Sequence, residues 1–364
     1  MLKNIDIEGY RGFKKYSVAN LSHVNLLVGK NNVGKTSLLE AIDLLTNPQI
    51  QVFEEIAFQR SEPLISGKNQ EPGRITTLLS SATEMVDLSH FFYGHDFGLD
   101  KQFCIQAKNN LHELEQLLVT VRELPKSSPV ESRSVYYALM LDFSQGAVSR
   151  ADIFNVTEEG GLLQYRNILP PIRKIPVQFI TTRSLRTNFL GNLWDNVVME
   201  GKEQEAINAM KILAPELTGI YFLVGDRSTR SALGNIFLGF STSKKRIPLG
   251  SYGEGMQRLL ALSLALIRSA DGILLIDEID TGLHWSVLGD MWRLVVETAK
   301  TLNIQVFATT HSLDCLKGLA WLCENYPDLE QEVTVQKIEP ALDEAVCLTA
   351  DQIQLAVAQG IEVR

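Results

Sequence analysis

The sequence is short of the features that mark many protein classes. Its 364 residues hold four cysteines, Cys104, Cys315, Cys323 and Cys347. No two of them have the close spacing of a zinc or redox site, and nothing suggests a disulfide framework. Scattered thiols of this kind fit a reducing compartment. Long apolar runs are missing too. The most apolar stretch, Leu259 to Ile267, is far below the roughly 20 residues that span a bilayer. The opening Met1-Leu2-Lys3-Asn4-Ile5-Asp6 has no apolar centre of a secretory leader. The expectation is a soluble, cytoplasmic protein with no membrane contact. Positive charge is in deficit, with 34 Lys+Arg against 43 Asp+Glu and a net charge of −9. A chain that coats nucleic acid by charge alone shows the opposite balance, although net charge does not exclude a local basic groove. There is no internal repeat, no low-complexity tract and no sustained heptad pattern.

The content is 45% hydrophobic and 21% charged. These globular proportions exclude collagen, a coiled-coil rod and a wholly disordered chain. The length allows two domains, or one with large insertions. Leu2, Ile5 and Ile7 alternate with polar neighbours, as in a half-buried strand. Tyr10-Arg11-Gly12-Phe13 reads as a turn. Val24 to Val28 is a short apolar run that leads through a glycine loop into helical spacing at Leu38, Leu39, Ile42 and Leu45. Further on, the pattern predicts strands over Phe103–Ala107 and Tyr136–Phe143, with a helix over Leu111–Arg122 between them. Next come a strand at Val177–Thr181, a helix over Leu190–Ala214 and hairpin-like chain from Ile220 to Ile247. A long apolar helix over Gln257–Arg268, a strand at Gly272–Ile276, a helix over Trp285–Leu302, a strand at Ile304–Thr309 and a terminal helix after Thr349 complete the series. Strands alternating with helices at both ends argue an α/β fold with a mainly parallel sheet.

Gly29-Lys30-Asn31-Asn32-Val33-Gly34-Lys35-Thr36 matches G-x-x-x-x-G-K-[ST] in full. Glycines let the backbone wrap phosphate oxygens that a Cβ would block. The loop amides and the start of the next helix face an anion. In this motif Lys35 reaches the β- and γ-phosphates and the Thr36 hydroxyl ligates Mg²⁺. An apolar strand before the loop and a helix after it argue against a chance glycine turn. Later, Gly272 to Ile276 ends in Asp277-Glu278. A second strand beside the first delivers an Asp to the metal shell in phosphate-loop proteins. A carboxylate one residue on can serve as general base. The plainer reading is a solvated strand end. Ser251-Tyr252-Gly253-Glu254-Gly255 precedes the long apolar helix and offers a second anion site at its amides, or a simple helix cap. His311 follows a strand in Thr309-Thr310-His311-Ser312, where a histidine can bond a terminal phosphate or serve structure.

The order of these motifs resembles the ABC-type ATPase head, in the branch with the structural-maintenance-of-chromosomes (SMC), RecF-like and OLD ATPases. Ile7-Glu8-Gly9-Tyr10-Arg11-Gly12-Phe13 and Asn25 to Ile42 are similar to the opening of those heads. The resemblance covers residues 1–45 and 245–320 strongly, 175–245 weakly and 46–170 hardly at all. It implies a P-loop fold with an N-terminal antiparallel β subdomain and a helical insertion. The expected parts are 1–45 and 249–364 as the split head, 46–170 as an inserted β lobe and 171–248 as a helical lobe. It implies ATP held by Gly29, Asn31, Asn32, Gly34, Lys35, Thr36 and Ser37, with Ser251 and Gly253 reaching the γ-phosphate of a second subunit. Thr36 and Asp277 hold Mg²⁺, Glu278 is the base and His311 the switch histidine, with Lys35 counted among the catalytic groups. Such heads act as two-fold homodimers with ATP sandwiched between subunits. His284 stands where transporter and SMC heads carry Asp, and Leu283-His284 is similar to the OLD pattern instead. Gln102, Gln106 and Gln178 are all candidates for the Q-loop, and none is chosen. Arg183 reads equally as a nucleotide or partner contact and as a solvated side chain.

OLD nucleases carry a metal-binding Toprim domain after the ATPase, and about 50 residues beyond His311 leave no room for one here. The expected function is therefore an Mg²⁺-dependent ATPase switch that controls a separate effector, a nuclease, in phage defence or DNA repair. The alternative is a RecF-like ATPase that binds DNA directly through Lys244-Lys245-Arg246, Arg227 and Arg230, a cluster that otherwise reads as a solvated face. A transporter subunit fits less well, given His284 and the Arg11-Gly12-Phe13 opening.

Overall fold

A computed structural model describes residues 1–62, 64–66, 84–123, 137–163, 175–181, 187–222, 236–339 and 341–360. Arg183, Arg227 and Arg230 lie outside them. In chain order the elements are β1 (Leu2–Tyr10), β2 (Phe13–Val18), β3 (Val24–Val28), α1 (Lys35–Thr46), α2 (Ile50–Arg60), β4 (Leu64–Ser66), β5 (Glu84–Val86), β6 (Gln102–Asn109), β7 (Leu114–Glu123), β8 (Tyr137–Gln145) and β9 (Val148–Val156). Then follow β10 (Val177–Ile180), α3 (Thr187–Met199), α4 (Glu203–Lys211), β11 (Leu217–Phe222), β12 (Ile236–Phe240), β13 (Ser243–Pro248), α5 (Gly253–Arg268), β14 (Ile273–Ile276), α6 (Leu288–Thr301), β15 (Gln305–Thr309), α7 (Leu313–Asn325), β16 (Val333–Lys337), β17 (Val346–Leu348) and α8 (Ala350–Ala358). The chain divides into two compact units. One holds Met1–Asn4, Val18–Leu39 and Lys174–Arg364, and the other holds Ile5–Ser17 and Glu40–Arg173.

The first unit is built on a six-stranded sheet in the order β10-β14-β15-β3-β16-β17. Every pairing is parallel except β16 with β17. β3, β14 and β15 are buried at every position. That is why they read as unbroken apolar runs, since helices cover both faces of a parallel sheet. The polar exceptions are satisfied. Asn25 in β3 donates to the carbonyls of Ser22 and Val306 and accepts from Thr334. Gln305 in β15 pairs with the amide and carbonyl of Leu2, which ties the chain start to the sheet. Gly272 packs so closely on the residue that leads into β10 that a Cβ would sit 2.0 Å from the Pro176 carbonyl oxygen. α5 is buried at ten successive residues, Arg258 to Ile267. Such all-round burial belongs to a core helix and not to a surface one. β11, β12 and β13 form a separate antiparallel sheet of the same unit. The single helix expected over Leu190–Ala214 is two, because Gly201 takes a left-handed φ of 69° between α3 and α4.

The second unit carries a sheet in the order β2-β1-β6-β7-β8-β9, with β6 to β9 an antiparallel meander. Here the helix expected over Leu111–Arg122 is wrong, for the chain from Leu114 to Glu123 is strand β7. Leu117, Val119 and Val121 line one buried face. Glu115 is also buried and accepts a hydrogen bond from Gln145 on β8. Pairing on both edges outweighs the helical spacing of Leu111, Leu114 and Leu118. Tyr10, Phe53, Phe91, Phe92 and Phe103 form an aromatic core. Beside it, Arg11 meets Glu40 at 2.8 Å and Glu62 at 2.5 Å, and Arg60 also meets Glu40. The Arg11 guanidinium lies 4.7 Å over the Phe91 ring.

Asp43 on α1 is buried, and its pKa is pushed up from the ordinary 3.8 to about 7, first by desolvation and then by the charges of Glu55 and Glu40. The native state thus keeps a proton that the unfolded chain has already released. This contribution is full below about pH 4 and is lost as pH rises through about 7. Asp43→Asn is expected to flatten that fall and to raise stability at pH 8 by on the order of 3 kcal/mol. Urea midpoints at pH 5 and pH 8 check it.

Candidate active site

The loop after β3 turns on three left-handed residues, Gly29 (φ 148°), Asn32 (φ 62°) and Gly34 (φ 103°). A Cβ at Gly29 would lie 2.8 Å from the Ile338 carbonyl oxygen, so that position needs glycine. Lys30, Asn31 and Asn32 are exposed at the rim, and Ser37 is buried behind them. The helix starts with the Leu38 amide bonded to the Gly34 carbonyl at 2.9 Å. The leading amides of any helix start precede its first intrahelical acceptor, a favourable condition for an anion. The Lys35 ammonium donates to the carbonyls of Gly29 (2.7 Å) and Lys30 (2.8 Å). Burial lowers its pKa, while the charges of Asp277 and Glu278 pull the other way. The lysine therefore sits in the field of the acidic pair.

β14 delivers that pair. The Asp277 carboxylate accepts from Thr36 Oγ1 at 3.1 and 3.2 Å. It also accepts from Thr309 Oγ1 at 2.7 Å. The same Thr309 hydroxyl accepts from the Glu278 amide at 2.8 Å. Glu278 has a φ of 50°, a left-handed backbone that costs a non-glycine residue energy and persists only where its surroundings hold it. Its carbonyl accepts from Arg258 Nη2 at 2.9 Å and from the Thr281 amide at 3.1 Å. Its carboxylate lies 3.3 Å from His311 Nδ1 and accepts from Thr281 Oγ1 at 3.3 Å. Both His311 and Glu278 are partly open to solvent, which a water-handling pair requires. One residue further, Thr310 Oγ1 donates to Asp280 at 2.6 Å and accepts from the Ser312 amide.

The structure thus brings together Lys35, Thr36, Asp277, Glu278 and His311. Ser251 is exposed in the turn before α5, and Gly253 opens α5 with a φ of 80°. His284 accepts from the Ser286 amide at 3.4 Å and caps the short turn that follows. Gln102 and Gln106 stand on β6 of the second unit, and Gln178 on β10 bonds its neighbour's carbonyl. Lys244, Lys245 and Arg246 are exposed on β13, with Arg246 stacked 3.8 Å over the Tyr221 ring. Sequence reasoning assigned no role to Thr309, Thr310 or Arg258. A signal existed for the threonines: two hydroxyls end an otherwise apolar strand, beside the strand that ends in two carboxylates.

Thr36 and Asp277 offer one hydroxyl and one carboxylate side by side. These hard oxygen donors suit Mg²⁺, which takes few protein ligands and fills its octahedron with phosphate and water. No group of three or more His, Cys, Asp or Glu among the described residues makes a self-sufficient metal cage. No helix among them is long and apolar enough to cross a membrane.

Two family models match this chain. One, described as an AAA ATPase domain, matches residues 1–119. The other, described as an AAA domain, putative AbiEii toxin, type IV TA system, matches residues 162–314. The chain is similar to an ATP/GTP phosphatase of Helicobacter pylori, 21% identical over 351 residues, covering 88% of this chain and 87% of that one. Similar solved structures include an SMC head bound to the C-winged helix domain of ScpA, with 11% identity, a TM-score of 0.46, and 96% of this chain and 97% of that chain covered. The SMC head domain from Thermotoga maritima is another, with 10% identity, a TM-score of 0.43 and coverage of 96% and 98%. One family match contains the complete phosphate loop and the other contains the acidic strand end and the histidine, so Lys35, Thr36, Asp277, Glu278 and His311 all fall within stretches that match AAA ATPase-type domains.

Proposed function

We propose that the protein hydrolyses ATP as a two-fold homodimeric switch and that its output is a separate effector, a nuclease, in phage defence or DNA repair. The observation that carries the ATPase part is the bonded chain from Thr36 through Asp277 and Thr309 to Glu278, with His311 against the Glu278 carboxylate. In this reading Gly29 to Ser37 wrap the triphosphate with backbone amides, and the Lys35 ammonium leaves the loop carbonyls for the β- and γ-phosphates. Thr36 and Asp277 would hold Mg²⁺, which would supply positive charge against the phosphates. The Glu278 carboxylate takes a proton from the attacking water. His311 orients that water and contacts the γ-phosphate. Phosphoryl transfer needs placement and charge more than covalent help, and each of these groups supplies one or the other.

The switch part rests on Ser251 and Gly253. They stand on the exposed start of α5, where a second copy can bring them to the opposite nucleotide. Binding would then close the dimer and hydrolysis would release it. In this reading the effector is a separate protein. A direct DNA-binding reading, of RecF-like type, draws on exposed Lys244, Lys245 and Arg246. DNA affinity that falls steeply with salt and is lost on neutralising those three would favour it. DNA cleavage by the purified chain with metal would remove the separate effector.

Glu278→Gln is expected to keep ATP affinity and lower kcat by about 100-fold or more, while light scattering finds an ATP-held dimer. Turnover at the normal rate would show that Glu278 is not the base. Lys35→Ala is expected to abolish ATP binding, measured with a fluorescent nucleotide. Thr309→Val leaves the Glu278 amide without its acceptor, a loss of about 1–3 kcal/mol. Its kcat is expected to fall about tenfold or more, with Thr309→Ser restoring most of it.

A further inference from the structure

Arg258 sits on α5, five residues after Gly253, and is 4% exposed. A buried guanidinium is costly unless its donors are met, and an apolar side chain of similar volume fills such a place more cheaply. Here the cost is only partly offset. Nη2 donates to the Glu278 carbonyl, but Nη1 is buried with no hydrogen-bond partner among the described residues. Burial pulls its pKa down, and the carboxylates of Asp280, Asp277 and Glu278, in that order, oppose the shift. Packing alone does not account for a charge held this way.

What Arg258 holds is the residue with the strained backbone. Three kinds of anchor fix Glu278 in its left-handed conformation. Thr309, from β15, takes its amide, and Thr281, in its own turn, bonds its carbonyl. Arg258 bonds the same carbonyl and comes from α5. The N-terminal end of α5 packs on the chain that follows Glu278. A Cβ on Gly255 would lie 3.7 Å from Leu283 and 3.8 Å from the Gly282 carbonyl. α5 therefore meets the Glu278 turn at two places, the Glu278 carbonyl and the later Gly282–Leu283 stretch.

We infer that Arg258 is a positioning residue that makes the backbone of Glu278, and through it the carboxylate, depend on how α5 is seated. The inference rests on the reading of Glu278 as base. A second copy pressing on Ser251 to Gly255 would then be felt at the base of the same subunit. The unmet Nη1 gives the arginine a second bond to make when α5 shifts, with Asp280 the carboxylate that acts on it most strongly.

The test compares Arg258→Met and Arg258→Lys, each alone and combined with Glu278→Gln, by steady-state and single-turnover ATP hydrolysis, fluorescent-nucleotide binding and thermal midpoint. Arg258→Met is expected to lower kcat about tenfold or more while KM and nucleotide affinity stay within about threefold. Arg258→Lys, which keeps the charge and a donor, regains part of the loss. In the Glu278→Gln background Arg258→Met adds no further loss, because the group it acts through is already gone. A kcat within twofold of the parent overturns the inference. So does an equal loss in both backgrounds with a lower midpoint and weaker nucleotide binding, since that pattern marks a merely structural role. If Arg258→Met does not fold, Arg258→Lys decides: a lower kcat with an unchanged midpoint supports the inference and an unchanged kcat ends it. Glu278→Gln at the parent's rate removes the base itself. An inactive Glu278→Gln beside a fully active Arg258→Met removes only the role of Arg258.

Discussion

The Thr36–Asp277–Thr309 chain of hydroxyl, carboxylate and hydroxyl is the contact on which the site depends, and parallel register makes it possible. Ile276 pairs with Ala308, and Ala308 pairs with Leu26. Asp277 and Thr309 therefore leave the sheet side by side, next to the strand that feeds the phosphate loop. A parallel sheet places the carboxyl ends of its strands on one edge, where ligands of α/β folds gather. A shift of one residue in β15 would turn Thr309 to the opposite face and separate these groups. The apolar burial of β3, β14 and β15 thus does more than stabilise the sheet. It fixes the register that brings two hydroxyls and a carboxylate within hydrogen-bond reach.

That arrangement has an energetic cost, visible in the residues around Glu278. A non-glycine residue in the left-handed region stores on the order of 1–3 kcal/mol. A buried guanidinium with one unmet amino group adds to it. The strained residue lies on the turn after β14, between apolar Ile276 and Ile279, each nearly inaccessible to solvent, and the guanidinium reaches it from α5. The surrounding core offsets the cost, because α5, α6 and the sheet bury an apolar cluster that takes in Ile276 and Ile279 on either side of the turn. At Glu278 the strain falls beside the phosphate loop, where a rigid, pre-set carboxylate has most use.

The legible parts of the sequence were those where one physical demand dominated. Val24 to Val28 and Gly272 to Ile276 had to be apolar throughout because both faces are covered, and the glycines of the loop had to be glycine because a backbone carbonyl crowds Gly29. Leu114 to Glu123 was misread because two demands conflicted. Its leucines recur at helical spacing, yet Leu117, Val119 and Val121 alternate. Glu115, within the expected helix, is buried against Gln145. Only a neighbouring strand decides between those patterns, and no local window contains it. The helix at Leu190–Ala214 failed for a simpler reason, since Gly201 breaks it and glycine alone does not announce whether it will. Arg258 escaped notice for a third reason. At the start of an apolar helix an arginine looks like a solvated end, and its burial follows from the path of the chain twenty residues later.

The residues around Glu278 come from separate elements: Thr309 from β15, Arg258 from α5, Thr281 from the turn itself and His311 from the end of β15. Groups that constrain one atom set in this way do not contribute independently. Removing one lets the backbone relax, and the others then hold a geometry that no longer serves. Losses at these positions should therefore saturate and not multiply, as they do where several side chains serve one step. The departure at His284 belongs to a different category. It caps the following turn through Ser286, a local structural use. Under the proposed function the two kinds of residue can be told apart by their bonds: those to the backbone or carboxylate of the acidic pair would act on the reaction together, and those within a single turn would act on the fold.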